Sequence, residues 1–448
     1  MKKGKLIVIG GDAAGMSAAS KVRRTDADRE IVVFERGHHT SYSACGMPYY
    51  IAGQIESSDN LITRKPEEFR KKQNIDVRIR HEVLKIDREN KRVQVHHLEN
   101  GEKFWESYDT LLIATGASPI RPDIEGIHSK GIFGLSTLQT GIEVFDFIEP
   151  NKPEHAVIVG GGYIGIEMAE ALLERKMNVT LIDMAPQVMT TLDRDMAGLI
   201  SEYMKEQGVD VLPEESLVSF EESEGSVTSV VTDKRKLNAD LVILGMGVKP
   251  NSELAKEAGL ELGVRNAIRV DKKLQSSDPA IYAAGDCAES FHIVRQDPTW
   301  IALGTVANKH GVAAGINLSG GEIEFPGVCG TAITKFKDLE IARTGLSEKE
   351  CLEEGLEYES ATIESRTRSG YYPGSSKITV KLIVEMKKRA IIGGQIVGFE
   401  GSGKRIDTIA TAITAGMTAQ NVVDLDLSYA PPFSPVWDPV QICARRLV

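Results

Sequence analysis

The stretch HAVIVGGGYIGIEMAEALLERKMNVTLID, residues 155–183, decides the fold class. It contains an apolar strand, a glycine turn, a helix rich in Ala, Leu and Met, and a second strand that ends in Asp183. Gly160, Gly162 and Gly165 have the spacing G-x-G-x-x-G, which permits a tight turn, close approach of a pyrophosphate and close helix–strand packing. The N-terminus of the helix faces the phosphates. This pattern predicts a βαβ unit that binds a dinucleotide.

A weak repeat of this unit begins at Lys5 with KLIVIGGDAAGMSAASKVRR. In its turn, Gly10-Gly11-Asp12-Ala13-Ala14-Gly15, Asp12 stands where the middle glycine would be. Glu35 ends the following strand, in the position of an acid that holds a ribose. The repeat therefore predicts a second nucleotide site.

Two later stretches strengthen this prediction, because each is a strand that runs into a turn of small residues. They are YDTLLIATGASP (108–119) and IYAAGDCAES (281–290). Asp286 ends the second strand and is placed to meet a ribityl or pyrophosphate group. The alternative for Asp286 is a turn or helix-capping aspartate.

These stretches flank the central unit, so the sequence predicts one nucleotide domain interrupted by another. After Gly321 the pattern changes to alternating segments, a helix candidate KRIDTIATAITAGM (404–417) and a proline-rich tail, which predicts a third, α+β domain. The fold class is α/β, with two Rossmann-like domains and a C-terminal α+β domain. The predicted boundaries are 1–150 with 252–325 for the first domain, 151–251 for the second and 326–448 for the third.

Composition argues against a nucleic-acid-binding protein, a membrane protein and a metal-binding protein. The 448 residues are 42% apolar and 26% charged, with a net charge of −11, which disfavours nucleic acid or an anionic membrane as partner. No stretch approaches the roughly 18 apolar residues of a membrane span. The five cysteines show neither C-x-x-C nor zinc spacing, so we predict no metal site and a reducing, cytoplasmic location.

One cysteine, Cys45 in SYSACGMPYYIAG (41–53), has an unusual setting. CGMPYY predicts a helix that begins at or just after Cys45, with Pro48 in its first turn. A helix N-terminus lowers the pKa of a thiol, so we expect an accessible thiolate. The alternative is a buried, inert thiol, and we interpret the other four cysteines in that way.

The chain resembles the flavin-dependent pyridine nucleotide–disulfide oxidoreductases over its whole length. Within them it is most similar to the single-cysteine group, and to bacterial coenzyme A disulfide reductases in particular. SYSACGMPYY, YYPG (371–374), and KRIDT followed by YAPPFSPVWDP (429–439) carry this resemblance. It implies FAD in the first nucleotide domain, NAD(P)H in the second and a homodimer formed through the third. Hydride would pass from nicotinamide to flavin, which then reduces a sulfur centre.

The two-cysteine reductases of this superfamily have a second cysteine in the pattern C-x-x-x-x-C and a C-terminal histidine that acts as acid–base catalyst, and this chain has neither. The position five residues after Cys45 is Tyr50, and the last histidine is His310, before the third domain. A single thiol can still attack a disulfide and hold half of it as a mixed disulfide. The resemblance implies acid–base help from Tyr371 and Tyr429 of a partner subunit. The alternative is that these tyrosines only pack or line an interface.

The resemblance also implies contact residues. For FAD and NADH they are Gly10, Gly11, Asp12, Ala13, Ala14, Gly15, Glu35, Arg36, Ser43, Val83, Ala114, Thr115, Gly116, Asp286, Ala302, Gly304, Thr305, Phe433, Gly160, Gly162, Tyr163, Ile164, Gly165, Asp183 and Gly247. For coenzyme A it implies Ser17, Arg24 and Ser41, with Asn308 at a position where the family has a histidine. Lys21 and Lys71 are further candidates for the coenzyme A phosphates because they are basic, and the alternative for both is an ordinary solvated charged face. The family pattern is broken at Ala44, Asn308 and Trp437, which leaves open which coenzyme A contacts survive.

The sequence thus predicts an NADH-dependent, FAD-containing reductase of coenzyme A disulfide or of a related persulfide or polysulfide. NADPH is the less favoured donor, because Asp183 is followed by Met-Ala-Pro-Gln with no arginine. A peroxide-forming NADH oxidase, an NADH peroxidase and a non-catalytic redox sensor are the alternatives. Peroxidases and water-forming oxidases of the family carry a histidine where this chain has Ala13, which disfavours those two.

Overall fold

A computed structural model of the protein describes residues 4–448. The first nucleotide unit is built on a parallel sheet, and residues 4–113 supply its first four strands. Its apolar strands are buried, as expected where helices cover both faces. An antiparallel three-stranded sheet is inserted before the last of these strands. The elements are β1 (Leu6–Ile9), α1 (Ala13–Thr25), β2 (Ile31–Glu35), α2 (Met47–Ala52), α3 (Pro66–Gln73), β3 (Asp76–Ile79), β4 (His81–Asp87), β5 (Arg92–His97), β6 (Lys103–Ser107) and β7 (Thr110–Ile113).

The second nucleotide unit follows as another parallel sheet with a short antiparallel meander beside it. Its elements are β8 (Ala117–Pro119), β9 (Ile132–Gly134), α4 (Leu138–Asn151), β10 (His155–Val159), α5 (Tyr163–Glu174), β11 (Asn178–Asp183), α6 (Arg194–Glu206), β12 (Val209–Pro213), β13 (Leu217–Ser223), β14 (Ser226–Thr232), β15 (Lys236–Asn238), β16 (Leu241–Leu244) and β17 (Val248–Pro250). The strand order is β12-β11-β10-β16-β9.

Strand β9 corrects the predicted boundary at residue 151. It pairs in parallel with β16, with Ile132 opposite Val242, so the second sheet recruits a strand from the segment assigned to the first domain. The antiparallel pair of β8 and β17 links the two units. A strand of three residues has too little periodicity to be recognised in the sequence.

The chain then returns to the first sheet. The returning elements are α7 (Glu253–Glu257), β18 (Ile281–Ala283), β19 (Ser290–His292), β20 (Asp297–Thr299) and α8 (Gly304–Leu318), and β18 completes the order β18-β7-β1-β2-β3. Helix α8 packs closely on α1, because a Cβ on Gly311 would overlap the carbonyl oxygen of Ala14. A Cβ on Gly315 would lie 2.8 Å from that of Ala18.

The third unit is a five-stranded antiparallel sheet with helices beside it, as predicted. It comprises β21 (Ala332–Phe336), β22 (Leu339–Gly345), α9 (Glu348–Glu353), β23 (Tyr358–Arg366), β24 (Lys377–Glu385), β25 (Ile391–Gly398), α10 (Ile406–Thr414), α11 (Ala419–Val423) and α12 (Pro439–Ala444), in the order β21-β22-β25-β24-β23. Four short 3-10 helices occur at Ala44–Gly46, Ser58–Leu61, Val264–Asn266 and Gly403–Arg405. The predicted fold class is confirmed.

A buried lysine joins the third unit to the second. The Lys381 ammonium lies 3.2 Å from Asp193, 2.9 Å from Asp195 and 3.0 Å from Glu348. Gln395 donates a further hydrogen bond of 2.7 Å to Asp193. Because an unpaired buried charge is costly, this cluster favours one arrangement of the two units.

Within residues 4–448, no helix has the length and apolar character required to cross a bilayer. The cytoplasmic location stays a prediction.

Candidate active site

The first glycine turn is shaped by contacts that exclude side chains. Gly10 has φ +107° and a Cβ there would overlap the carbonyl oxygen of Ala114. A Cβ on Gly15 would overlap the carbonyl oxygen of Gly10, so α1 starts against the end of β1. The turn therefore fits the pyrophosphate cradle that the sequence predicts for FAD.

The second glycine turn repeats this geometry. Gly160 has φ +106° and its Cβ would overlap Gly245, while a Cβ on Gly165 would overlap Gly160. A Cβ on Gly162, by contrast, would meet nothing within 4 Å, so this glycine faces open space at the start of α5. These residues fit a nicotinamide dinucleotide that approaches the turn from that side.

An acid is fixed beside each turn. Glu35 accepts a hydrogen bond of 2.7 Å from the Gly11 amide, and Asp183 accepts one of 2.7 Å from the Gly161 amide. Each carboxylate also accepts the amide two residues further along its own chain, at 2.6 and 2.8 Å. Both acids therefore lie at the strand ends where a ribose acid is expected.

Two half-buried aspartates, Asp12 in the first glycine turn and Asp286 after β18, lie near each other. Burial raises the pKa of Asp12 to about 7, even though the Tyr42 amide donates a hydrogen bond of 3.2 Å to it. Burial raises the pKa of Asp286 to about 6, and its buried Oδ1 has no hydrogen-bond partner within residues 4–448. A free acceptor there fits the hydroxyl of a ribityl chain, as predicted for FAD.

The loop that carries Cys45 is tied to the first glycine turn. The Ser41 amide donates to the carbonyl of Gly11 at 3.1 Å, and Ser41 itself has φ +48°, which is uncommon outside glycine. The Ser43 amide donates to the carbonyl of Leu61 at 2.8 Å. Cys45 follows in a 3-10 turn, and α2 then begins with Pro48 in its first turn, as predicted.

The expected lowering of the Cys45 pKa is wrong. Cys45 is exposed, but nearby protein atoms displace part of the water around its sulfur, and this loss of hydration raises the pKa of the thiol. The negative charge of Glu167 raises the pKa further. The backbone amide of Cys45 lowers the pKa, but its effect is smaller than either of these two. Glu167 lies on α5, accepts a hydrogen bond of 2.7 Å from Thr334, and has a pKa raised by burial. No pattern in the sequence indicates that Glu167 is a neighbour of Cys45.

A cavity of about 510 Å³ opens beside Cys45. Four of the predicted coenzyme A contacts line it, and the Ser17 hydroxyl donates a hydrogen bond of 2.9 Å to Asn308. Arg64 also lines the cavity, and the sequence analysis missed it. Lys21 and Lys71 do not line it, since Lys71 lies exposed on α3 and Lys21 packs beside Gly315. The predicted lining residues are Ser17, Arg24, Ser41 and Asn308.

The other predicted cofactor contacts lie in the first and second units and stay predictions. Ser43 and Ala13 line the cavity with Cys45, and the Thr115 hydroxyl donates to the carbonyl of Asn251 at 2.6 Å where the two units meet. The remaining positions are Ala114 and Gly116 after β7, Ala302 before α8, Gly304 and Thr305 at its start, Tyr163 and Ile164 at the start of α5, Gly247 after β16, Arg36 after β2 and Val83 in β4.

The predicted tyrosines lie on the surface of the third unit and do not line the Cys45 cavity of their own chain. Tyr371 is 77% exposed, Tyr429 46% and the neighbouring Phe433 76%. Their two segments are held together, because the Ser369 amide donates to the carbonyl of Pro431 at 3.2 Å. These aromatic side chains form an exposed face on the third unit.

Comparison with known proteins identifies the class. The pyridine nucleotide-disulphide oxidoreductase model matches residues 4–311, and the dimerisation domain model of the same name matches residues 331–439. The chain belongs to the pyridine nucleotide-disulphide oxidoreductase family, whose cofactors are FAD and NAD(P)H. The predicted resemblance is confirmed.

Individual relatives narrow the comparison. The chain is 43% identical to the CoA-dependent NAD(P)H sulfur oxidoreductase of Pyrococcus furiosus, with 100% of both chains covered. It is 31% identical to the coenzyme A disulfide reductase of Staphylococcus epidermidis, over 99% of each. It is similar to the solved NAD-dependent persulfide reductase from A. fulgidus, with a TM-score of 0.96 and 41% identity over 99% of this chain and 82% of that one.

Asp183 generates a prediction about the nicotinamide. A carboxylate at this strand end accepts bonds from ribose hydroxyls and repels a 2′-phosphate, so we expect kcat/KM for NADH to exceed that for NADPH by roughly tenfold or more. Asp183→Ala should reduce this ratio, whereas Asp210→Ala, at an exposed position on β12, should not. Steady-state kinetics with both donors measures it, and equal values in the unmodified protein would contradict the assignment.

Glu167 generates a prediction about pH. Because its negative charge raises the pKa of Cys45, Glu167→Gln in the reduced holoenzyme should shift the alkylation profile of Cys45 to lower pH. The rate of iodoacetamide modification, followed by mass spectrometry across pH, measures this shift. Glu174→Gln, at the exposed end of the same helix, is the matched control and should leave the profile in place. An unmoved profile in Glu167→Gln would refute the coupling.

Proposed function

We propose that the protein uses NADH to reduce coenzyme A disulfide and coenzyme A persulfides through Cys45. The observation that carries this proposal is the cavity that an exposed cysteine lines together with Ser17, Arg24 and Asn308. A sulfur nucleophile beside a cation suits a substrate with both a disulfide and phosphates. The sulfur and coenzyme A substrates named for the relatives support the same class.

Cys45 carries out the exchange. Its thiolate attacks one sulfur of the disulfide, which forms a Cys45–S–S–CoA bond and releases one coenzyme A thiolate. Two electrons and a proton then convert the mixed disulfide into the Cys45 thiolate and free coenzyme A. FAD, held by the first glycine turn and Asp286, would supply those electrons after accepting hydride from NADH.

The raised pKa of Cys45 favours this direction of exchange. A thiol of higher pKa is a stronger nucleophile as thiolate and a poorer leaving group. The raised pKa therefore makes Cys45 a poorer leaving group and favours departure of the coenzyme A sulfur when the mixed disulfide is cleaved. The cost is a smaller thiolate fraction at neutral pH.

The second subunit belongs to the same proposal. The match to the dimerisation domain and the exposed aromatic face of Tyr371, Tyr429 and Phe433 support a two-fold homodimer. In that dimer the tyrosines reach the Cys45 cavity of the partner. A phenol there protonates the departing coenzyme A sulfur.

The peroxidase and water-forming oxidase alternatives are less favoured. Ala13 lines the cavity with Cys45, and the lining residues within the described chain include no histidine. Peroxide cleavage at Cys45 would therefore lack an imidazole from this subunit.

Substitution of the nucleophile tests the function. Cys45→Ser should abolish thiol release from coenzyme A disulfide, because a serine hydroxyl has too high a pKa to attack a disulfide. FAD should stay bound and NADH should still bleach it anaerobically, since the glycine turns and Asp286 are unchanged. Cys351→Ala, buried in the third unit, should retain thiol release. Thiol release near the normal rate in Cys45→Ser would show that Cys45 is not the redox centre.

Subunit mixing tests the tyrosines. Heterodimers of Cys45→Ser protein with Tyr371→Phe/Tyr429→Phe protein contain one site with an intact cysteine and intact tyrosines if the tyrosines act across the interface. With random exchange, activity should recover to about a quarter of the normal value, because half the dimers are mixed and each has one working site. No recovery in heterodimers verified by mass would mean that the tyrosines act within their own subunit or not at all.

A further inference from the structure

Arg64 is a cation in the Cys45 cavity that the described chain leaves without an acidic partner. Its neighbours are paired, since Lys65 lies 3.5 Å from Asp59 and Arg70 lies 2.9 Å from Glu67. Neither Arg64 nor Arg24 forms such a pair with any carboxylate in residues 4–448, although both line the cavity. Glu68 is the acid whose pKa the charge of Arg64 lowers, but Glu68 is itself paired with Lys72 at 2.7 Å. Two arginines that form no ion pair beside a nucleophilic sulfur indicate a site for an anionic substrate.

The local structure holds the Arg64 guanidinium against the cavity wall. Its centre lies 5.1 Å from the centroid of the buried Phe69 ring, which lines the same cavity. The backbone is fixed, because the Thr63 amide donates to the carbonyl of Ser41 at 2.8 Å. Stacking on an aromatic face leaves the edge of a guanidinium, with its N–H groups, available to a ligand.

Arg64 and Arg24 come from different elements. Arg24 lies in the last turn of α1, whereas Arg64 lies between the 3-10 helix Ser58–Leu61 and α3. Two elements therefore each present a cation to the same cavity. A guanidinium binds phosphate in bidentate fashion, which a lysine in the same place cannot do.

We propose that Arg64 binds a phosphate of the coenzyme A moiety and, with Arg24, makes the cavity selective for phosphate-bearing thiols. This inference rests on the proposed function. It names a specificity residue for that reaction and predicts that small disulfides without phosphate gain nothing from Arg64.

A substrate series tests the proposal. Arg64→Gln should lower kcat/KM for coenzyme A disulfide by about 10- to 100-fold, the usual effect of a lost charge-assisted hydrogen bond, and leave pantethine unchanged. Dephospho-coenzyme A disulfide, which lacks the 3′-phosphate, identifies the phosphate that Arg64 binds. If Arg64→Gln leaves kcat/KM for this substrate unchanged, Arg64 binds the 3′-phosphate. If kcat/KM falls as much as it does for coenzyme A disulfide, Arg64 binds the diphosphate. Arg64→Lys should recover only part of the loss.

A binding measurement gives a second readout. In the Cys45→Ser background, which prevents the covalent adduct, calorimetry should show that Arg64→Gln weakens coenzyme A binding by about tenfold or more. Arg70→Gln is the matched control, because Arg70 is paired with Glu67 and does not line the cavity. It should leave both kinetics and binding unchanged.

The two proposals fail in different ways. Absence of coenzyme A disulfide turnover by the unmodified protein would contradict the proposed function, while the calorimetry would still test Arg64. Normal turnover and binding in Arg64→Gln, or an equal loss with pantethine, would overturn the role of Arg64 alone.

Discussion

The contact between the first glycine turn and the end of β7 determines where the other active-site groups lie. Gly10 leaves no room for a side chain against Ala114, so β1 and β7 end side by side and α1 starts immediately above them. The Ser41 amide bonds to the carbonyl of Gly11, which places the Cys45 loop next to this turn. A bulkier turn would separate the sulfur from the pyrophosphate site.

Asp12 explains why the first glycine motif departs from G-x-G-x-x-G. In the second motif the corresponding residue, Gly162, faces open space. In the first, the Asp12 carboxylate accepts the Tyr42 amide and so fixes the segment that leads to Cys45. At this position the first motif has a side chain that bonds to the Cys45 loop, where the second motif has a glycine. Its raised pKa is the consequence of placing a carboxylate among buried groups and beside Glu35 and Asp286.

The sequence could reveal features that lie within one continuous stretch. Both βαβ units, the acids at their strand ends and the turn after Cys45 are of this kind, and all occur as predicted. Strand β9, Glu167 and Arg64 are not, because each depends on contacts with distant parts of the chain. Glu167 raises the pKa of Cys45 from α5, 122 positions further along the sequence. Lys71 is the reverse case, a residue that the sequence predicts as a coenzyme A contact but that lies outside the cavity. Its charge is visible in the sequence, whereas its exposed position on α3 is not.

A single cysteine is sufficient only if the second sulfur comes from the substrate. The other four cysteines are buried and have no disulfide partner, and the Cys287 thiol donates a hydrogen bond of 3.5 Å to the carbonyl of Ile113. Cys45 therefore has no internal resolving thiol within the described chain. Its raised pKa and the arginines of its cavity then have one combined effect: they favour a mixed disulfide with an anionic thiol, and they favour loss of that thiol when electrons arrive.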